Sequence, residues 1–282
     1  MTIAIIGYGK MGKLIESLAL EQGHRTGAVV DPFYGAETSA CGAPVYRTIP
    51  EMAAGPHGTG LVPDSADGTD RIEVALEFTR PDAVLDNIKA LAERRIPVVV
   101  GSTGWQDRLG EAEALVKAAG SSLLWAPNFS LGVNLFYRIA AYAAALMDGF
   151  PDYDVAGYEV HHNKKADSPS GTARALAELV IKNMDRKTQA VYETLNRPPR
   201  PEELHYSSLR LGATPGAHTI IFDSPADSIE ITHSARNREG LARGALLAAR
   251  WLLHGGPPRQ GVFTFDDVLA DSIGRQKTGP LS

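Results

Sequence analysis

The chain opens on an apolar run, Thr2 to Ile6, rich in β-branched residues and free of polar alternation. Such a run predicts a strand buried on both faces. Met11, Leu14, Ile15 and Leu18 then recur at helical spacing, with Gly23 placed to end the helix. Ala28 to Val30 is a second apolar run, and it ends in Asp31. The stretch from Gly55 to Asp70 is rich in Gly, Pro and Asp and reads as a loop or frayed insertion. Val74 to Phe78, Val98 to Val100 and Leu123 to Trp125 predict further strands. After the first of these, Thr79 with Asp82 marks a helix start, and Val84, Ile88 and Leu91 form its apolar face. Strands alternating with helices predict an α/β domain of the Rossmann type with a parallel sheet.

From about Asn128 the alternation gives way. Leu131 to Leu146 is an Ala-rich apolar helix, Asp154 to His162 a strand, and Gly171 to Lys182 a helix. After the Pro-rich loop Arg197 to Pro201 come three strand-like runs: Ser207 to Leu211, His218 to Phe222 and Ser228 to Ser234. Helices followed by several strands without crossovers predict an α+β domain with an open mixed sheet. Leu241 to Leu253 is apolar nearly all round, a buried helix that returns the chain to the first domain, and Gly261 to Phe265 is a last short strand. The expected division is therefore 1–127 with 241–282, and 128–240. No internal repeat or low-complexity tract is seen.

Composition narrows the class. The 282 residues are 44% hydrophobic and 22% charged, with a net charge of -5, as in an ordinary globular protein. There is no basic excess to suggest nucleic-acid binding. The single cysteine, Cys41, excludes an intrachain disulfide and fits a reducing, cytoplasmic setting; it reads as a small packing or loop residue rather than a nucleophile. The N-terminal apolar run stops at Gly7 with no basic residues before it, which is not the pattern of a signal peptide. No apolar run approaches the ~20 residues of a membrane span.

Gly7-Tyr8-Gly9-Lys10-Met11-Gly12 sits between the first strand and helix. A Gly-x-Gly-x-x-Gly in that context, with an acid about 20 residues on, marks a dinucleotide site. Gly7 would allow the tight turn, Gly9 the approach of a pyrophosphate, and Gly12 close helix–strand packing. The helix start offers free N–H groups to phosphates. Asp31 would accept hydrogen bonds from the adenine-side ribose, or else stand solvated. A carboxylate repels a 2′-phosphate, and Pro32-Phe33 supplies no arginine to replace it, so NADH is expected to be preferred, with NADPH as the alternative. Gly101-Ser102-Thr103 and Ala126-Pro127-Asn128-Phe129 follow strands, where ligands of open α/β sheets sit, so both are candidates to meet the cofactor's nicotinamide half.

The densest chemistry lies in Glu159-Val-His-His-Asn-Lys-Lys-Ala-Asp-Ser-Pro-Ser-Gly-Thr172. Adjacent side chains of a strand face opposite ways, so His161 and His162 cannot serve one centre unless the strand ends between them. This counts against a metal site, as does the lack of cysteine or clustered aspartate partners. Ser168, Ser170 and Thr172 read as helix-capping residues, with Pro169 near the first turn; the same start can bind a carboxylate. Lys164-Lys165 is either a solvated pair or the cation that such an anion needs.

This stretch resembles the signature of the 4-hydroxy-tetrahydrodipicolinate reductase (dihydrodipicolinate reductase) family of lysine and diaminopimelate synthesis, Glu-x-His-His-x-x-Lys-x-Asp-x-Pro-Ser-Gly-Thr. The resemblance extends to Gly101-Ser102-Thr103-Gly104, Ala126 to Asn134, Arg210-x-Gly212, Gly216-x-His218, Glu230-Ile231-x-His233 and Arg238. It implies reduction of a cyclic imine dicarboxylate with loss of water, with His161 and Lys165 as proton donors or relay. It further implies that His162, Ser170, Gly171, Thr172 and Arg238 contact the substrate, and that 128–240 is a substrate-binding and oligomerisation domain of a homotetramer. The glycine turn is one residue shorter than the commonest family form, Lys10 stands where Arg is usual, Ser168 replaces a frequent Ala, and Asp31 to Val74 matches poorly. An aspartate or diaminopimelate dehydrogenase would share the first domain without needing His-His-x-x-Lys, and a non-catalytic dinucleotide sensor would keep Gly7 to Asp31 while losing the acid and the cation.

Overall fold

A computed structural model describes residues 1–53, 71–254 and 259–273. The loop expected over Gly55 to Asp70 lies outside the described residues. Two compact units divide the chain: Met1–Phe129 with Leu241–Ser282, and Ser130–Gly240.

The first unit begins β1 (Thr2–Ile6), α1 (Lys10–Glu21), β2 (Arg25–Val30), β3 (Val45–Tyr46) and α2 (Ile49–Ala53). It continues β4 (Val74–Glu77), α3 (Val84–Ala92), β5 (Val98–Val100), a single 3₁₀ turn, α4 (Leu109–Ala119) and β6 (Ser122–Trp125). The second unit holds α5 (Leu131–Asp148), β7 (Asp154–His161), α6 (Gly171–Lys182), β8 (Gln189–Val191), β9 (Glu203–Arg210), β10 (Ala217–Asp223) and β11 (Ser228–Ser234). The chain then closes with α7 (Glu239–Leu253), β12 (Gly261–Thr264) and α8 (Phe265–Ile273).

Seven strands form one wholly parallel sheet in the order β12-β6-β5-β4-β1-β2-β3. Strand order reverses at the β1/β4 pair, and in open α/β sheets the ligand crevice forms beyond the carboxyl ends of strands at such a point. Every residue of β1, β4 and β5 is buried, because helices cover both faces. Ile15, Leu246 and Val268 pack on one face, and Ile88, Leu91 and Val116 on the other. The first unit extends to Phe129 rather than Pro127 for a packing reason. Phe129 is buried edge-on against Phe265, with ring centroids 5.5 Å apart. The sheet of the second unit, β11-β10-β7-β9-β8, is mixed. β7 runs parallel to β9 and antiparallel to β10, and α5 and α6 cover one face, with Phe136, Leu176 and Val180 in one core with Tyr206 of β9.

Some elements depart from expectation. The helix anticipated at Thr79 and Asp82 starts at Val84, because both residues are otherwise engaged. The Thr79 hydroxyl donates to Glu77, and Asp82 accepts from Arg80. β7 ends at His161, one residue short of the expected strand, where His162 opens a turn closed by the Lys165 N–H on the His162 carbonyl.

Candidate active site

The glycine turn is built around two close approaches. Gly7 has φ +92°, and a Cβ there would meet the Phe78 carbonyl oxygen at 2.5 Å. A Cβ on Gly12 would lie 2.2 Å from the Gly7 carbonyl oxygen. Gly9 faces open space, and no side chain caps the helix it begins. The first N–H groups of α1 are thus left for a ligand, the arrangement that suits a pyrophosphate.

Beside this turn, a cleft of about 740 Å³ is lined by Gly7, Gly9, Asp31, Phe33, Arg47 and Arg80 among others. Asp31 is held by its own neighbours: Oδ2 accepts from the Tyr8 N–H at 2.8 Å and Oδ1 from the Phe33 N–H at 2.9 Å. Each oxygen keeps a further lone pair for a ribose hydroxyl. The Tyr8 ring does not enter the cleft. It is buried, and its hydroxyl donates to the buried Glu16, which also accepts from Ser39. These residues fit a dinucleotide. Arg47 is the surprise, since sequence reasoning saw no cation near Asp31. The Asp31 N–H donates to the Tyr46 carbonyl at 2.9 Å, which brings Arg47, the residue just past the neighbouring strand β3, to the same end of the sheet. The signal was hidden because β3 has only two residues.

Lys10 is exposed and Met11 half-buried at the start of α1. Gly101, Ser102 and Thr103 follow β5, and Ala126, Pro127, Asn128 and Phe129 follow β6. None of these lines the Asp31 cleft. Ser102, Ala126 and Phe129 are buried, whereas Thr103 and Pro127 are exposed.

In the second unit the motif folds around one carboxylate. Glu159 is fully buried. Its Oε1 accepts from the Ser170 N–H at 3.0 Å, the Ser208 hydroxyl at 2.8 Å and Arg210 Nη2 at 3.2 Å. Its Oε2 accepts from the Ser170 hydroxyl and lies 3.1 Å from His161 Nδ1 and 3.3 Å from His218 Nε2. Burial pulls the Glu159 carboxyl upward. Hydrogen bonds from His218, Ser170 and Ser208 outweigh this and hold it well below the usual carboxylate range. Burial lowers the His161 imidazole to about 4, against the raising influence of Glu159. His161 is therefore neutral at physiological pH.

Arg210 also donates to the Asp167 carbonyl at 2.6 Å, which fastens the turn that carries Lys165. The Lys165 ammonium is 2.8 Å from the Asp167 carboxylate. His162 is half-buried, and its Nδ1 has no hydrogen-bond partner among the described residues. Ser170 is committed: it is 2% exposed, caps α6 through the Ala173 N–H at 3.2 Å, and turns its hydroxyl and N–H to Glu159. The start of α6 that remains exposed is Gly171, with Thr172 half-exposed. Arg238 is exposed, and no hydrogen bond or ion pair joins its side chain to this cluster among the described residues.

Glu159, His161 and His218 each offer a ligand atom within 4.8 Å of the others, close enough to hold a metal ion. The Glu159 carboxylate is already spent on two hydroxyls and a guanidinium, and the Arg210 cation opposes a second cation. The arrangement suits proton chemistry better. Sequence reasoning passed over Glu159 and His218 as site residues. The period of two puts Glu159 and His161 on one face of β7, so that pair was legible. His218 reaches it only through sheet pairing opposite Glu159.

Comparison with known proteins agrees with this layout. Residues 1–129 match the family described as dihydrodipicolinate reductase, N-terminus, and residues 132–269 match dihydrodipicolinate reductase, C-terminus. The 4-hydroxy-tetrahydrodipicolinate reductase of Christiangramia forsetii is 34% identical over 96% of this chain and 98% of its own. The chain belongs to the 4-hydroxy-tetrahydrodipicolinate reductase family. It is accordingly an oxidoreductase. The reductase of that name from Archaeoglobus fulgidus is 35% identical over 95% of this chain and 100% of its own. A dipicolinate-bound dihydrodipicolinate reductase from Paenisporosarcina sp. TG-14 shares the fold, with TM-score 0.71 at 23% identity, covering 94% of this chain and 98% of that one. The Rossmann-type sheet of this reductase family member supports a nicotinamide cofactor. No described helix is long and apolar enough to cross a membrane.

Proposed function

We propose that the protein reduces 4-hydroxy-tetrahydrodipicolinate to tetrahydrodipicolinate, with loss of water, in lysine and diaminopimelate biosynthesis. The first unit is the dinucleotide domain and the second holds the substrate. The observation that carries the reading is the junction of β7 and α6. There a buried Glu159–His161 pair, the Lys165 ammonium and the start of α6 fall within one motif. A reduced nicotinamide, when bound, supplies the hydride. The chain's own residues do the rest. Exposed N–H groups at Gly171 and Thr172, with His162, Lys165 and Arg238, hold the substrate's carboxylates. Lys165 stabilises the enamine-like anion and protonates it, and neutral His161 relays the proton. Ser170 serves the site from behind, by fixing Glu159 and the helix start.

NADH is the preferred cofactor, because Asp31 presents a carboxylate to the adenine-side ribose. Arg47 and Arg80 in the same cleft support some use of NADPH. Gly101 to Thr103 and Ala126 to Phe129 flank the nicotinamide half. The protein works as a cytoplasmic homotetramer, in keeping with a stripe of exposed apolar residues along α5 (Leu135, Ile139, Tyr142 and Leu146) that suits a second copy of the chain. Light scattering tests the assembly, with a monomer at micromolar concentration as the contrary result. The activity is tested by NADH oxidation dependent on 4-hydroxy-tetrahydrodipicolinate. Turnover with aspartate or diaminopimelate in its place would favour an amino-acid dehydrogenase.

A further inference from the structure

We propose that Glu159, backed by His218, is a positioning residue that fixes the tautomer and orientation of His161. The inference rests on reading His161 as the relay of the reaction proposed above, and it gives a role to Glu159 and His218, to which that reading assigns no step.

Sheet register builds the device. Glu159 and His161 share a face of β7. Glu159 is paired with His218 on β10 and with Ser208 on β9, while His161 is paired with Arg210. The carboxylate is thus gripped from both neighbouring strands and from Ser170 at the head of α6. It cannot rotate without breaking several charge-assisted bonds at once. His161 Nδ1 is buried without an aligned hydrogen-bond partner among the described residues, and the Glu159 carboxylate is the charge beside it, with Oε2 3.1 Å away. The His218 ring closes edge-on at 5.0 Å between centroids. On the far side, Gly216 leaves room for the ring, since a Cβ there would meet His161 Nε2 at 2.8 Å. A carboxylate next to Nδ1 places the proton on Nδ1 and the lone pair on Nε2. Nε2 is then the atom that takes and returns the proton, and the fixed charge of Glu159 stabilises the imidazolium that forms in passing.

The charged and titratable groups around His161 are Glu159 on its own strand, His218 on β10, Arg210 on β9 and Lys165 on the turn. His233 on β11 stands opposite His218 in register. Glu159 is the one anion among them, so its charge alone favours protonated His161.

The test is a double-mutant cycle in the full-length enzyme, with Glu159→Gln and His161→Ala alone and together. Glu159→Gln is expected to lower kcat roughly 10–100-fold, the scale seen when the carboxylates that orient metal-bound histidines are removed, with the KM for NADH unchanged and the His161 midpoint moved further down. With His161→Ala already present, adding Glu159→Gln is expected to cost less than about twofold, because the interaction it serves is gone. An equal loss in both backgrounds would make Glu159 a purely structural residue and overturn the proposal. If His161→Ala alone left kcat unchanged, the relay reading would fall first and this proposal with it. Should Glu159→Gln fail to fold, ¹⁵N chemical shifts of His161 in the wild-type protein decide: an Nδ1–H tautomer supports the assignment and an Nε2–H tautomer refutes it.

Discussion

Lys165 has the most direct consequence of any single residue. It is tied to Asp167 on a turn held by Arg210 and is absent from the buried core. Lys165→Ala should fold normally and lose about 10²–10⁴ in kcat, the range of a positioned acid; near wild-type turnover would remove it from the mechanism. Asp31→Ala should raise the NADPH/NADH ratio of kcat/KM, and an unchanged ratio would mean that Asp31 does not read the ribose. His161 gives a pH signature. Its folded midpoint of about 4 lies below its ordinary value of 6.5, so between these limits the unfolded chain binds a proton that the folded one does not. Stability should therefore be full above about pH 6.5 and decline as pH falls towards 4. Glu159, also depressed, adds its loss from its ordinary carboxylate value of 4.5 downwards. Urea midpoints at pH 7.5 and 5 in the wild type and in His161→Asn measure this, and the variant should show the smaller difference. Residues named by the motif were legible at this scale. Glu159 is visible in the sequence as the first residue of the motif but nothing there signals its role, and His218 is a partner that only pairing across strands reveals.

Among the elements, α6 matters most, because its first turn closes the motif. Its buried face, Ala173, Leu176, Ala177 and Val180, locks that start against the sheet of the second unit. Leu176→Ala should cost about 2–5 kcal/mol by urea denaturation and weaken substrate more than NADH, whereas an unchanged midpoint would contradict the core placement. The α6 boundaries were plain in the sequence, since a Ser-Pro-Ser cap precedes strong periodicity. Other elements were obscured for identifiable reasons. β9 begins at Glu203 rather than Ser207 because Arg197, 2.5 Å away, lets an acidic residue enter a strand almost fully buried. α4 buries only Ala112 and Val116, too narrow a stripe to stand out. Phe265 starts α8 instead of ending a strand, because Asp267 accepts from the Thr264 N–H at 2.7 Å and caps the helix.

For the whole molecule, the change from alternating strands and helices to consecutive strands announced two units, each with its own sheet and core. The parallel sheet with its order reversal at β1 and β4 accounts for a dinucleotide cleft, and the mixed sheet accounts for a gripped carboxylate with a cation-bearing turn. Strand order was not legible, because it depends on pairings such as β6 with β12 that join distant parts of the chain. The central claim joins the two chemistries in one reaction. Its most direct measurement is steady-state NADH consumption by the purified protein, with 4-hydroxy-tetrahydrodipicolinate generated in situ by its synthase. The account predicts consumption that requires both that substrate and Lys165. No consumption with this substrate, alongside turnover of aspartate or diaminopimelate, would contradict it.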